Sequence, residues 1–234
     1  QKLPENSIDM IFADPPYFIH KAIWDISKGA KKDFQFHCNW IKECRRVLKP
    51  NGTIFITGTH HSIHKCGIAL EVNKFYLISD IAWYKPNAKP NLQYNGFKYS
   101  YENIIWAKKN KNSPHTFNYS AMKNWKYDKL KTSQQMGTVW AINTVPKRER
   151  KHGKHPTQKP LALLKRIILC STKKNDLILD PFNGSGTTGI ASCLYGRNFI
   201  GIDQNQDYLD LTIRRFKSIN NERKKMEEKI IQKE

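Results

Sequence analysis

Asp14-Pro15-Pro16-Tyr17 closes a short apolar run, Ile8 to Ala13, and sets a carboxylate, a conformationally restricted carbonyl and an aromatic ring within four residues. That combination suits activation of a conjugated amine. The exocyclic amine of adenine is a poor nucleophile because its lone pair is delocalised into the ring. An acceptor on each N–H draws the lone pair out of conjugation and readies it for attack on an electrophilic methyl. The Asp14 carboxylate is one candidate acceptor, and the Pro15 carbonyl is the second, its direction fixed by Pro15 and Pro16. A base drawn out of a duplex also needs an aromatic wall, for which Tyr17 is the candidate and Phe18 a lesser one. The bland alternative is a Pro-Pro turn after a strand, with Asp14 as its cap.

A second constellation lies far along the chain. Asp180-Pro181-Phe182-Asn183-Gly184-Ser185-Gly186-Thr187-Thr188-Gly189 stands where a strand becomes a helix. Glycines there let the backbone approach a ligand, and an open helix N-terminus favours a negative group. Gly184, Gly186 and Gly189 match G-x-G-x-x-G, and Asp203 follows Gly184 by nineteen residues, which fits a nicotinamide dinucleotide held by its ribose hydroxyls. No Lys follows the glycines, so this is not a Walker loop. Asp180, directly before the turn, suits the cationic amino-acid end of S-adenosylmethionine better than a pyrophosphate. This turn alone leaves both ligands open, together with a turn that binds nothing.

The elements that position these groups alternate. Ile8 to Ala13, Thr53 to Thr57, Tyr76 to Trp83, Asn103 to Lys108, Leu177 to Leu179 and Phe199 to Ile202 read as strands. Helical spacing marks Phe34 to Leu48, which Lys49-Pro50-Asn51-Gly52 stops. It also marks Ser62 to Val72, Leu161 to Ser171, Thr187 to Tyr195 and a helix from Gln206. A Pro- and Asn-containing loop fills Lys85 to Phe97. Loops with short elements are expected from Asn110 to Gly153, and a charged, solvated helical end after Ser218. There is no internal repeat. The pattern predicts an α/β fold with a mixed, mostly parallel sheet covered by helices on both faces.

The 234 residues carry 40 Lys and Arg against 20 Asp and Glu, a net charge of +20. Such an excess attracts polyanions by releasing counterions from a phosphate backbone. Half of it lies between Ala107 and Lys154, where twelve basic residues meet two acids and where Phe117, Tyr119, Trp125, Tyr127 and Trp140 are interleaved. Cations mixed with aromatics suit phosphate contact plus base stacking, so nucleic acid is the expected partner. Five cysteines without a C-x-x-C pair argue against disulfides and structural zinc and for a reduced cytoplasm. No apolar run approaches the ~20 residues of a membrane span, and no membrane partner is expected. The histidines at 20, 37, 60, 61, 64, 115 and 152 read as surface or loop residues rather than metal ligands, and no metal is expected.

D-P-P-Y, then H-P-T-Q-K-P (His155 to Pro160), then D-P-F-N-G-S-G-T-T (Asp180 to Thr188), in that order, resemble the β-class amino-methyltransferases of DNA restriction–modification systems. Their motif order is circularly permuted on a Rossmann-like, S-adenosylmethionine-dependent fold, with target recognition between the two halves. The resemblance runs from Leu3 to about Phe216. It implies a catalytic half at 1–106, a recognition insert at 107–154, a cofactor half at 155–220 and a charged tail at 221–234. By the same resemblance Asp14, Pro15, Pro16 and Tyr17 form the catalytic loop. Asp180, Phe182, Gly184, Ser185, Gly186 and Thr187 line the cofactor site, Asp203 holds the ribose, and His155, Thr157 and Lys159 open the helix beside the methionine end.

I-F-A-D-P-P-Y-F, L-K-P-N-G-T and K-H-G-K-H-P-T-Q-K-P are further similar to the DpnA-type adenine methyltransferases paired with GATC-cleaving endonucleases. That likeness implies GATC as target, double- and single-stranded DNA as substrates, and a homodimer. Family members carry a further segment before the position of Gln1, and a longer Gly/Ser-rich loop where Phe18-Ile19-His20-Lys21 stands here. Cytosine-N4 enzymes share the chemistry but more often have Ser at the Asp14 position. A DNA-binding module on a degenerate fold would show damaged motifs, and a dehydrogenase would leave D-P-P-Y without a role.

Overall fold

The computed structural model describes residues 2–19, 25–123, 125 and 136–231, with side chains up to residue 219. His20 and Lys21 of the short loop, and Lys126, Tyr127, Asp128, Lys129 and Lys131 of the basic segment, lie outside the described residues.

A seven-stranded sheet carries the site. Its strands are β1 (Ile8–Ala13), β2 (Leu48–Gly58), β3 (Tyr76–Tyr84), β4 (Tyr101–Lys108), β5 (Val139–Ala141), β6 (Leu177–Asp180) and β7 (Asn198–Gly201), in the spatial order β5-β3-β4-β2-β1-β6-β7. Only β4 runs against its neighbours, pairing antiparallel with both β2 and β3, while the other four pairings are parallel. The expected mixed, mostly parallel sheet is therefore present.

Period-two alternation sends β1 into two cores, as it must when both faces are covered. Met10 and Phe12 face one side, with Phe55, Trp106, and Leu163, Leu164 and Ile167 of α4 (Leu161–Ser171). Ile11 and Ala13 face the other, with Ile41 and Cys44 of α1 (Ala30–Val47) and Ala69 and Leu70 of α2 (Ile63–Val72). The helices α3 (Tyr119–Lys123), α5 (Thr187–Leu194) and α6 (Gln206–Ile231) complete the described elements, with a 3-10 turn at Lys147–Arg150. No helix among the described residues is long and apolar enough to cross a membrane.

Four details differ from the sequence reading. α1 begins four residues before Phe34, because the buried carboxylate of Asp33 accepts the Ser27 hydroxyl and the Lys28 amide ahead of it. α1 does end at Val47, just ahead of Lys49, but Lys49 to Gly52 bulge inside β2 rather than form a turn, for the register with β1 jumps from Leu48 opposite Ile8 to Thr53 opposite Met10. His37 is fully buried, not a surface or loop residue: it lies on the inward stripe of α1 with Ile41 and Cys44, edge-on to Phe36 and Trp40, and burial lowers its imidazole to about 4.

The last difference concerns the basic segment. Its first residues finish β4, and its Val139–Ala141 pair with β3 at the sheet edge. Trp140 is buried there, and the fully buried Arg166 guanidinium lies 5.0 Å from its ring and 5.2 Å from that of Trp125. These two aromatics serve the core, whereas Phe117 and Tyr119 stay nearly half exposed.

Candidate active site

In an open α/β sheet ligands gather at the carboxyl ends of the strands, where connections diverge. Here Asp14 follows the last residue of β1, Thr57 is next to last in β2, Asp180 ends β6 and Asp203 lies two residues past β7. Because β4 runs the other way, its second residue, Glu102, reaches the same edge.

Asp14 is the hub. Its Oδ1 accepts the hydroxyls of Thr57 and Tyr17, both at 2.7 Å, and its Oδ2 accepts Lys159 Nζ. Lys159 Nζ lies 3.8 Å from Glu102 Oε2 and 5.2 Å from the centre of the Tyr17 ring. Glu102 also accepts Tyr17 Oη at 3.1 Å and pairs with Lys85. Burial alone would lower the Lys159 ammonium, but the Asp14 and Glu102 carboxylates outweigh it and raise it. Burial would conversely raise Glu102, but Lys159 and Lys85 outweigh it and lower its carboxyl. Burial, with the charges of Asp14 and Glu102, pushes the Tyr17 phenol well above its ordinary range. Tyr17 therefore stays a donor, and Asp14 is an acceptor with one oxygen held by the Lys159 cation.

The loop after Asp14 is anchored by Asp25. Its buried carboxylate accepts the amides of Tyr17 at 2.8 Å, Phe18 at 2.7 Å and Ile19 at 3.2 Å. Phe18 holds φ +58°, a left-handed conformation that a bulky residue keeps only where its surroundings impose it. Tyr17 is buried and lines a small side pocket with Asp14, Pro15, Asp25 and Thr157.

A cavity of about 650 Å³ opens from this hub. Asp14, Pro16, His155, Thr157, Lys159, Asp180, Phe182, Gly184, Ser185, Thr187 and Asp203 all line it, so the three motifs of the sequence meet around one space. Gly186 does not. It sits at the N-cap of α5 with φ +71°, and a Cβ there would stand 2.4 Å from Thr212 Cγ2, so its role is to let α6 pack closely. Gly184 lies against the His155 ring, where a Cβ would meet Nε2 at 3.1 Å. Burial lowers the His155 imidazole, and its ring packs edge-on against Tyr208.

The turn after β6 is not built to hold phosphates. Phe182 N donates to Asp180 Oδ1, Asn183 N to Ile202 O, Gly184 N to Asp203 Oδ2 and Gly186 N to Asn183 O, so these amides are spent inside the protein. The cavity wall carries three carboxylates, and its lysine is already paired with Asp14. A pyrophosphate would be repelled, whereas a ligand with a cationic end, hydroxyls and an apolar middle fits beside Asp180, Asp203 and Phe182. The dinucleotide alternative fails on this ground. S-adenosylmethionine fits the donor set.

Sequence reasoning missed Glu102, Thr57, Lys85 and Asp25, which lie in strands or a loop without a motif and matter only through partners far along the chain. The outward positions of β-strand edges alternating with apolar residues were the available signal for Glu102.

The DNA methylase family profile matches residues 8–214. The Type II methyltransferase M2.MboI of Moraxella bovis is 48% identical over 230 residues, covering 92% of this chain and 82% of that protein. M2.DpnII of Streptococcus pneumoniae is 43% identical over 235 residues, covering 94% and 86%. Among solved structures, the M1.HpyAVI–SAM complex superposes with a TM-score of 0.69 at 31% identity, over 92% of this chain and 89% of that one. The cytosine-N4-specific PvuII DNA methyltransferase superposes at 0.74 with 19% identity, over 92% and 81%, a likeness of fold. A family profile spanning nearly the whole chain, near relatives at almost half identity and a site that satisfies the family's chemistry agree: the chain belongs to the DNA methylase family of amino-methyltransferases.

Proposed function

We propose that this DNA methyltransferase modifies the N6 amine of adenine, within GATC, with Asp14 as the residue that activates the amine. One observation carries the reading: the Asp14 carboxylate stands at the end of β1 with one oxygen fixed by Thr57 and Tyr17 and the other held by Lys159, and Asp14 and Lys159 line the cavity that Asp180 and Asp203 also line. S-adenosylmethionine supplies a methyl group on an electrophilic sulfonium.

The protein's part begins with Lys159. It holds Asp14 Oδ2 in place, and Glu102 Oε2, 3.8 Å away, is the second acceptor to which it can shift as a target N–H arrives. Asp14 then takes one amine N–H and the Pro15 carbonyl the other, which localises the nitrogen lone pair for attack. The methylated nitrogen carries a positive charge until a proton leaves, and the ionised Asp14 beside it stabilises that charge and accepts the proton. Asp180 supports the cationic end of the cofactor, Asp203 its ribose, and His155, Thr157 and Phe182 the wall between.

Adenine is favoured over cytosine because Asp, not Ser, stands at the catalytic position. GATC is supported by the motif resemblance to the DpnA-type enzymes. The basic segment 107–154, with Phe117 and Tyr119 exposed, is assigned to target contacts on duplex and single-stranded DNA. A homodimer belongs to the same reading, and light scattering measures it. Transfer of labelled methyl to oligonucleotides with and without GATC, followed by nucleoside identification, tests the target. N6-methyladenine confined to GATC is the expected product; N4-methylcytosine, or label independent of GATC, contradicts it.

A further inference from the structure

The segment joining β3 to β4, residues 85–100, contains Lys85, Lys89 and Lys98 and no acidic residue. Leu92, Tyr94, Phe97 and Tyr99 on it are 74%, 90%, 99% and 66% exposed. Burial of such side chains is favourable, so four of them left in water on one loop mark a contact surface. They do not protrude for want of local order. Lys85 N donates to Ser100 O at 2.7 Å, the Asn91 side chain bridges Gly96 O and the Gln93 amide, and Tyr94 keeps φ +53°. Asn87 accepts the Thr144 amide, and Tyr99 stacks on His60 with ring centres 5.1 Å apart and planes 8° from parallel. The loop is a built projection.

Its root is the catalytic network. Lys85, the first residue of the loop, pairs with Glu102, which accepts the Tyr17 hydroxyl that also donates to Asp14. The projection therefore rises from the sheet edge where a target base must enter. We infer that residues 85–100 form a DNA-contacting arm, with Tyr94 and Phe97 stacking on bases exposed when the target leaves the helix and Lys89 and Lys98 on the flanking phosphates. The occupant is DNA because the arm joins stackable rings to cations with no acid between them, and because it is continuous with the site that acts on DNA. The inference deepens the proposed function and rests on the methylated base entering at Asp14.

The test uses the whole chain. Tyr94→Ala/Phe97→Ala and Lys89→Ala/Lys98→Ala are compared with wild type for binding of a labelled GATC duplex across a salt series, and for fluorescence of a 2-aminopurine placed at the target position. Base–aromatic stacks are worth about 1–3 kcal/mol each, so the ring variant is expected to bind at least tenfold more weakly, with the salt slope kept and the 2-aminopurine rise diminished. The lysine variant is expected to lose roughly two units of salt slope. Cofactor affinity and melting temperature stay at wild-type values in both, which separates loss of DNA contact from loss of fold. DNA affinity and target fluorescence unchanged in the ring variant overturn the inference, as does loss confined to binding of anionic phospholipid vesicles. Failure of wild type to methylate adenine while these DNA effects persist would instead strike the target assignment and leave the arm standing.

Discussion

If Asp180 holds the cationic end of the cofactor, as proposed, its charge state sets how tightly the cofactor binds, and pH exposes it. Asp180 is 2% exposed at the end of β6. Burial pushes its carboxyl up to about 7, the Asp14 and Asp203 carboxylates add to the rise, and the bonds from Thr188 Oγ1 at 2.6 Å and Phe182 N at 3.0 Å hold it back. A ligand whose cationic ammonium needs the ionised form meets an ionised fraction of about one half at pH 7 and about one thirtieth at pH 5.5. The cofactor's own α-amine, ordinarily near 7.7–8.0, stays largely protonated across that window. Apparent affinity should therefore fall by about fifteenfold, on the order of 1–2 kcal/mol, from pH 7 to pH 5.5.

The same group acts on the empty fold with the opposite sign. Native protein binds more protons than unfolded chain between roughly pH 4 and 7, so its contribution to stability falls as pH rises through that window. The increase in melting temperature on adding cofactor should thus grow with pH. Calorimetric titration of wild type and Asp180→Asn at four pH values checks both arms. His155 also faces the cavity, but burial lowers its imidazole below the ordinary value, and a slope due to it would persist in Asp180→Asn. Equal slopes in the two proteins, or a flat wild-type profile, would refute the reasoning.

Removing the cation in Lys159→Met leaves Asp14 and Glu102 without their shared partner, and the Glu102 carboxyl, which Lys159 helps to hold down, should rise. The acid limb of the kcat/KM profile then moves up by about one unit or more, and an unmoved limb contradicts the pairing. Glu102→Gln removes the negative charge that draws Lys159 off Asp14; single-turnover methylation should slow by roughly a hundredfold while cofactor affinity holds. Gly186→Ala combines a positive φ with a Cβ placed 2.4 Å from Thr212, worth about 3 kcal/mol together. A melting-temperature loss of roughly 10 °C is expected by calorimetry.

The carboxylates that line the cavity were readable because each follows a short apolar strand and stands in a fixed local pattern. Asp14 and Asp180 needed only their neighbours to be recognised, and Gly184 to Gly189 only their spacing. What stayed hidden depends on distance along the chain. Glu102 looks like any outward strand residue until an antiparallel β4 brings its first turn to the edge where Lys159 arrives from 57 residues later. Asp25 gains meaning by accepting three successive amides of the catalytic loop. β5 is three residues long and exists through its pairing with β3, and the same pairing turns Trp140 from a surface aromatic into core. Gly186 was assigned to the cofactor wall because glycine is needed both where a ligand and where a helix comes close, and local sequence does not tell the two apart.

The central claim is that Asp14 activates the target amine, and Asp14→Asn tests it most directly. Single-turnover methyl transfer from labelled S-adenosylmethionine to a GATC duplex is measured alongside the affinities for cofactor and DNA. The account predicts a rate reduced by roughly a thousandfold with both affinities within about twofold of wild type. Methyl transfer at near wild-type rate would contradict it.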